Sequence, residues 1–235
     1  MIRNRKLKIF SILLGLTAAA SYTVLPNYWM RNHSKHIIRR VQVRGFQIAL
    51  TFDDGPDPGY TEELLDLLLE HDSKATFFVV AQKARKHPDL IRRMKAEGHT
   101  VAMHSLSHRI AWLSTPEMTR LEFAKSIKIL KKLGVEARYF RPPWGTFNLC
   151  TAKESKARQL KIVLWSVELD DWLRETSPSS IFNRLKDCGP GDIVVLHDSG
   201  GENGAPNHML DALRLFLPWC ERKGVELINL DVGLD

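Results

Sequence analysis

From Gln47 onward the chain alternates: a short apolar run, a polar break, an amphipathic stretch, then another apolar run. The runs are Gln47–Phe52, Ala75–Val80, Thr100–Met103, Tyr139-Phe140, Ile162–Val167, Ile193–Leu196 and Val225–Leu230. They carry the aromatic and β-branched side chains that strands favour. Between them, Thr61–His71 reads as a helix feeding Leu64, Leu65, Leu67, Leu68 and Leu69 to the core. A second runs from His87-Pro88 to Glu97-Gly98. A third is capped by Thr115, with Pro116 in its first turn, Phe123, Ile127 and Leu130 on its buried side, and Gly134 at its end. Cys150–Leu160, Pro178–Asp187 and Met209–Lys223 complete the set. Strands alternating with helices are joined by crossovers and run parallel, which makes the class α/β.

In parallel folds chemistry collects at the carboxyl ends of the strands. Here each of five ends carries titratable or donor groups. Asp53-Asp54 follows the first run and is turned away by Gly55-Pro56. His104 and His108 follow the third, Arg141-Pro142-Pro143-Trp144-Gly145 the fourth, Glu168 and Asp171-Trp172 the fifth, and His197-Asp198 the sixth. Taken alone, each has an ordinary explanation. Asp-Asp-Gly-Pro suits an acidic turn, and two histidines four apart are more often a surface pair than metal ligands. All five together read as the rim of an active site. Two imidazoles four apart plus one aspartate make three N and O ligands with a position left for water, as catalytic zinc requires. A carboxylate beside such a cation can take a proton from water, and a histidine on another strand end can protonate a leaving group.

The net charge of +7 comes from one place. Residues 1–52 hold nine Lys/Arg and no acid, and the rest of the chain balances 25 basic against 27 acidic side chains. Nucleic-acid binding by the domain loses its support. The first residues are basic and an apolar run follows from Ile9 to Leu25, an export pattern. Ala18-Ala19-Ala20 offers a cleavage site, but Tyr-Thr-Val-Leu continues apolar toward Tyr28-Trp29, which favours an uncleaved anchor with the domain outside. Residues 1–25 are thus expected as a signal or anchor segment, 26–45 as a basic tether and 46–235 as the catalytic domain. Cys150, Cys188 and Cys220 are widely spaced: one disulfide and a set of buried thiols both fit.

The ordered set Thr51-Phe-Asp-Asp-Gly, His104-Ser-x-x-His108, Arg141-Pro-Pro-Trp-Gly, Asp171-Trp172 and Leu196-His197 resembles the polysaccharide deacetylases of carbohydrate esterase family four, the nodulation-protein-B homology domain. The resemblance runs from about Phe46 to Leu230. It implies a distorted (β/α) barrel, usually seven-stranded. It also implies one divalent ion on Asp54, His104 and His108, most often zinc, with cobalt, nickel or manganese accepted by the same donors. Asp53 would be the base, held by Arg141, and the Trp144 backbone would help stabilise the oxyanion. His197 would be the acid, supported by Asp171. Trp172 would line the acetyl pocket, with Pro143, Trp144 and Val195 beside it. Glu168, Trp144 and Val195 depart from the residues usual at those places.

The function expected is removal of N-acetyl groups from N-acetylhexosamines of a cell-wall or chitin-like glycan by an extracytoplasmic monomer that reaches the membrane through its N-terminus. Rivals are a deacylase of a smaller or lipid-linked amide, a glycan-binding pseudoenzyme and a tethered interaction protein. Of the other histidines only His208, which follows the loop after His197, is placed to reach substrate; His33, His36, His71 and His87 read as surface residues and His99 as a cap or packing residue. The Ser199–Asn207 loop reads as a flexible rim, since it lacks the Lys-Ser/Thr of a phosphate cradle.

Overall fold

Strand β2 (Gln47–Asp53) is the centre of the computed structural model, which describes the backbone of residues 2–234 and side chains from residue 10 onward. It is preceded by helices α1 (Ile2–Tyr22) and α2 (Val24–His33) and by a two-residue strand β1 (Ile37–Ile38). After it come α3 (Thr61–Glu70), β3 (Thr76–Val79), α4 (Ala81–Lys86), α5 (Pro88–Ala96), β4 (Thr100–Met103), α6 (Pro116–Lys132) and β5 (Tyr139–Phe140). The chain ends with α7 (Leu149–Ala157), β6 (Lys161–Val163), β7 (Val167–Glu168), α8 (Pro178–Lys186), β8 (Ile193–His197), α9 (Ala205–Lys223), β9 (Glu226–Ile228) and α10 (Leu230–Leu234).

The strands pair in the order β1-β6-β5-β4-β3-β2-β8-β7, and β9 pairs with the start of β2. Every named pair is parallel. The α/β reading holds, with nine strands among the described residues where the sequence suggests seven. One extra arises because Ile162–Val167 is broken. Its first half pairs with β5, its second half with β8, and residues 164–166 carry the chain between the two ends of the sheet. There Leu164 N–H donates to Ile38 and Ser166 N–H to Ile193. This stretch nearly closes the sheet into a barrel, and the break is where the barrel is distorted.

The other extra strand, β1, lies in the stretch expected to be a tether. Residues 26–45 instead pack on the domain: Met30, Ser34, Ile37 and Val41 are buried, and Arg40 forms an antiparallel bridge with Asp192. A two-residue strand is too short to show a period, so its position depends on its partner β6.

Alternation along β2 sorts its side chains between two cores. Ile48, Leu50 and Phe52 join the large cluster that includes Leu64, Leu65 and Leu213 of the covering helices. Ala49 joins a smaller cluster with Phe78, Ala102, Tyr139, Val163 and Ile193, all from strands. Thr51 and Asp53 share the Ala49 parity, which turns them toward the barrel interior. On α3 the buried face is Thr61, Leu64, Leu65, Leu67 and Leu68. Leu69 is 54% exposed, on the helix side that carries Glu62 and Asp66, so it does not feed the core as expected. Thr115 caps α6 by accepting from Met118 N–H. All three cysteines are free and buried, the second of the two sequence readings.

Candidate active site

Asp53 ends β2 inside the barrel and is 3% exposed. Its Oδ1 accepts from Arg141 Nη1 at 2.6 Å. Arg141 is wholly buried, an arrangement stable only because its other donors are also used. Nη1 also reaches Thr51 Oγ1 at 2.8 Å, and Nη2 reaches the Leu164 carbonyl at 3.1 Å, in the break between β6 and β7. The guanidinium lies over the Phe78 ring, 4.1 Å from its centroid. Burial pushes the Arg141 pKa down, and the Asp53 charge offsets part of that. Asp53 thus reaches the cleft from its floor and Arg141 sits beneath, with the geometry fixed from several strands.

Asp54 is the next residue, with φ of 75°. That backbone turn swings its carboxylate out of the strand toward the β4 loop. There Oδ1 lies 2.8 Å from His108 Nε2 and 3.3 Å from His104 Nε2. One ligand atom from each of the three residues falls within 4.8 Å of the others. Two details fit a divalent cation. Oδ1 of Asp54 is buried without a hydrogen-bond partner. His104 Nδ1 bonds the Arg141 carbonyl at 2.8 Å, so its proton is on that nitrogen and the Nε2 lone pair faces the group. Burial alone would raise the Asp54 pKa, but the two imidazoles outweigh it and hold the carboxyl below the usual carboxylate range.

His197 stands beside Asp53 in the β2–β8 register. Its Nδ1 lies 2.9 Å from Asp171 Oδ1, and its backbone N–H donates to Asp171 Oδ2 at 2.7 Å. Asp171 is 1% exposed and serves both atoms at once. The Nδ1 proton is thereby fixed, leaving Nε2 as the free ring nitrogen. Burial would lower the His197 pKa; the Asp171 charge and hydrogen bond, helped by Asp53 and Asp54, raise it to about 9. Trp172 meets the His197 ring edge-on at 5.4 Å, and Trp144 packs against His108 at 4.2 Å. Of the seven non-glycine residues with positive φ among the described residues, five (Asp54, Ser105, His108, Trp144 and Asp170) lie in these strand-end loops. Backbone strain is thus concentrated where side chains must be aimed.

These groups line one cleft of about 630 Å³. It takes in Asp53, Asp54, His104, His108, Trp144, Trp172, Val195 and His197. Arg141 and Asp171 support it from below. Pro143 does not reach it: the residue is buried in the turn Pro143–Gly145 and faces a separate small cavity with Ser105 and Phe123. His208 bonds the Thr176 carbonyl and is also outside the cleft. Sequence reasoning missed four lining residues: Arg31 from α2, Val80, Lys83 from α4 and Trp165 from the strand break. It also missed that Asp198 turns inward. Its Oδ2 accepts from Thr61 at 2.6 Å, and burial raises its pKa to about 7. A Cβ on Gly55 would stand 2.2 Å from this carboxylate, so the Asp-Asp-Gly turn needs its glycine for close approach.

Solved structures supply the class. A crystal structure of a peptidoglycan N-acetylglucosamine deacetylase in complex with a substituted benzamide superposes with a TM-score of 0.78 at 30% identity, covering 87% of this chain and 94% of that one. The strand-end site thus sits on the fold of a glycan deacetylase. Residues 40–163 match the family model described as polysaccharide deacetylase, and the chain belongs to that family. Among named relatives, a peptidoglycan-N-acetylglucosamine deacetylase of Bacillus cereus is 34% identical over 185 residues, 78% of this chain and 85% of that one. A chitooligosaccharide deacetylase of a Bradyrhizobium species is 34% identical over 190 residues, 77% of this chain and 87% of that one.

Proposed function

We propose that this chain is an extracytoplasmic, metal-dependent N-deacetylase of N-acetylhexosamine residues in a cell-wall or chitin-like glycan. The observation that carries the reading is the orphaned Asp54 Oδ1 between two imidazoles, flanked by one carboxylate paired to arginine and one imidazole paired to aspartate. Asp54, His104 and His108 would hold a divalent ion, zinc by donor type, with cobalt, nickel or manganese accepted by the same set. Such an ion supplies polarisation of the acetyl carbonyl and a lowered pKa for water in the cleft.

The chain's own residues do the rest. Asp53, oriented by Arg141, accepts the proton as water adds to the acetyl carbon. The Trp144 backbone N–H donates to the oxygen on which charge develops. His197 is protonated at neutral pH because its pKa is about 9, and Nε2 delivers the proton to the leaving amine as the carbon–nitrogen bond breaks. Asp171 holds the Nδ1 proton throughout. Trp172 and Val195 offer apolar surface to the acetyl methyl. Pro143 fixes the turn that presents Trp144. The stretch over residues 10–33 is apolar enough for a span by composition, but α2 is docked on the domain, so α1 is the part that would act as signal or anchor and deliver the domain outside the cytoplasm.

The test is acetate release from a panel of N-acetylated glycans before and after chelation. Release that chelation abolishes and added divalent ion restores is the expected result. Release that survives chelation rejects the metal, and none from any glycan rejects the deacetylase.

A further inference from the structure

We propose that Arg31, carried into the cleft by α2, is a specificity-determining residue that recognises a carboxylate on the sugar flanking the N-acetylated unit, so that the preferred glycan is anionic. The inference rests on the deacetylase reading and names its substrate class more narrowly. Arg31 lines the same cleft as the ligand set. Its Nη1 stands 3.6 Å from where a Cβ on Gly145 would lie, a position that Trp165 of the cleft wall also approaches, at 3.0 Å.

The placement of Arg31 is built. On the N-terminal side of Arg31, Asn27 Oδ1 accepts from Phe147 N–H at 2.9 Å, and Tyr22 O–H donates to the Ser114 carbonyl at 3.1 Å. Met30 is buried, and Arg39 Nη2 clamps its carbonyl at 3.2 Å. A helix held at both ends keeps its side chains in register with the cleft wall.

The chemistry points to an anion. Of the other charged groups of the cleft, Asp53 is paired with Arg141 and His197 with Asp171, Asp54 faces the two histidines, and Glu168 is the acid of the lining with no side-chain partner among the described residues. Lys83 donates to Ser199 Oγ at 2.7 Å. The Arg31 guanidinium has no acidic or carbonyl partner among the described residues, and its charged neighbour Arg39 repels it. A cation in the last turn of a helix is also favoured by the helix dipole, but that explains His33 equally, and His33 does not line the cleft. A planar, permanently charged fork is suited to a carboxylate, which it can grip with two hydrogen bonds. The assignment survives removal of the residues before Ser21, since α2 would stay in the mature chain.

The test uses the full chain and two forms of one oligosaccharide: alternating N-acetylglucosamine and N-acetylmuramic acid with the lactyl carboxylate free, and the same glycan with that carboxylate converted to an amide. The wild type is expected to favour the free acid by about fivefold in KM, the upper size of an exposed ion pair, with equal kcat. Arg31→Ala should bring that ratio to about one, and Arg31→Lys should keep part of it. A wild type that does not distinguish acid from amide overturns the proposal, as does an Arg31→Ala loss shared equally by the two. Equilibrium binding followed through the fluorescence of cleft tryptophans reads the same ratio without turnover. If binding discriminates and no acetate is released, Arg31 stands and the deacetylase reading falls; if acetate is released without discrimination, the reverse holds.

Discussion

Replacing Asp171 by Asn tests the acid at its source. In the wild type the carboxylate holds His197 Nδ1–H at 2.9 Å and raises the ring to about 9, so about nine-tenths of it is protonated at pH 8. Without that charge the ring returns toward its ordinary 6.5, where about one-thirtieth is protonated at the same pH. Burial would carry it lower still. The acid form exists below the pKa and is lost as pH rises through it, so a lower pKa moves the loss to lower pH. Asp171→Asn should therefore fall at least about thirtyfold behind the wild type at pH 8, with the gap narrowing steadily as pH falls below the mutant's pKa. A cation at Asp54 offsets the share of the lift owed to Asp53 and Asp54 in both proteins alike, so the difference between them carries the test. The assay is kcat/KM for acetate release from about pH 5 to 10, with metal content and thermal unfolding as controls. Coincident alkaline limbs in the two proteins would refute the pairing.

Three further outcomes are expected. His104→Ala and His108→Ala should each lose a stoichiometric divalent ion, measured by elemental analysis, and with it the rise in Tm on adding metal, worth about 2.7 kcal/mol at a hundredfold excess over Kd. Asp53→Asn should keep the ion and lose about 10²–10⁴-fold in kcat, a range set by general-base catalysis; near-normal turnover would assign the base elsewhere. Arg141→Met should destabilise the fold by about 3–5 kcal/mol in denaturant unfolding, because Asp53 is left buried and unpaired. Adding Asp53→Asn to it should recover part of that loss, and strict additivity of the two would deny the coupling.

What the sequence made legible was local. A carboxylate pair at the end of an apolar run, or two histidines four apart, is visible because a strand end and its turn are contiguous in the chain. In the structure Asp53, Asp54, His104, His108 and His197 meet at one cleft, with Asp171 beneath it on His197. The residues it missed are defined by distant partners. Arg31 enters through a helix docked by Asn27 on Phe147, 120 positions away. The break at 164–166 exists because one stretch serves both ends of the sheet, which no local pattern encodes. Pro143 was drawn toward the cleft by adjacency to Trp144. The left-handed turn at Trp144, with φ of 53°, separates them instead.

The docking of α2 also sets the reach of the enzyme. With residues 22–44 folded onto the domain there is no slack chain between α1 and the catalytic barrel. Between the last basic residue of the leader, Lys8, and Tyr22 lie about 13 residues, roughly 20 Å of helix against a hydrocarbon layer of about 30 Å. Held in a bilayer by α1, the domain would be drawn down by that mismatch until Val24, Leu25, Tyr28 and Trp29, all more than half exposed, met the lipid interface. A leashed enzyme sweeps a volume; this one would work a single plane, and glycan strands would have to come to it.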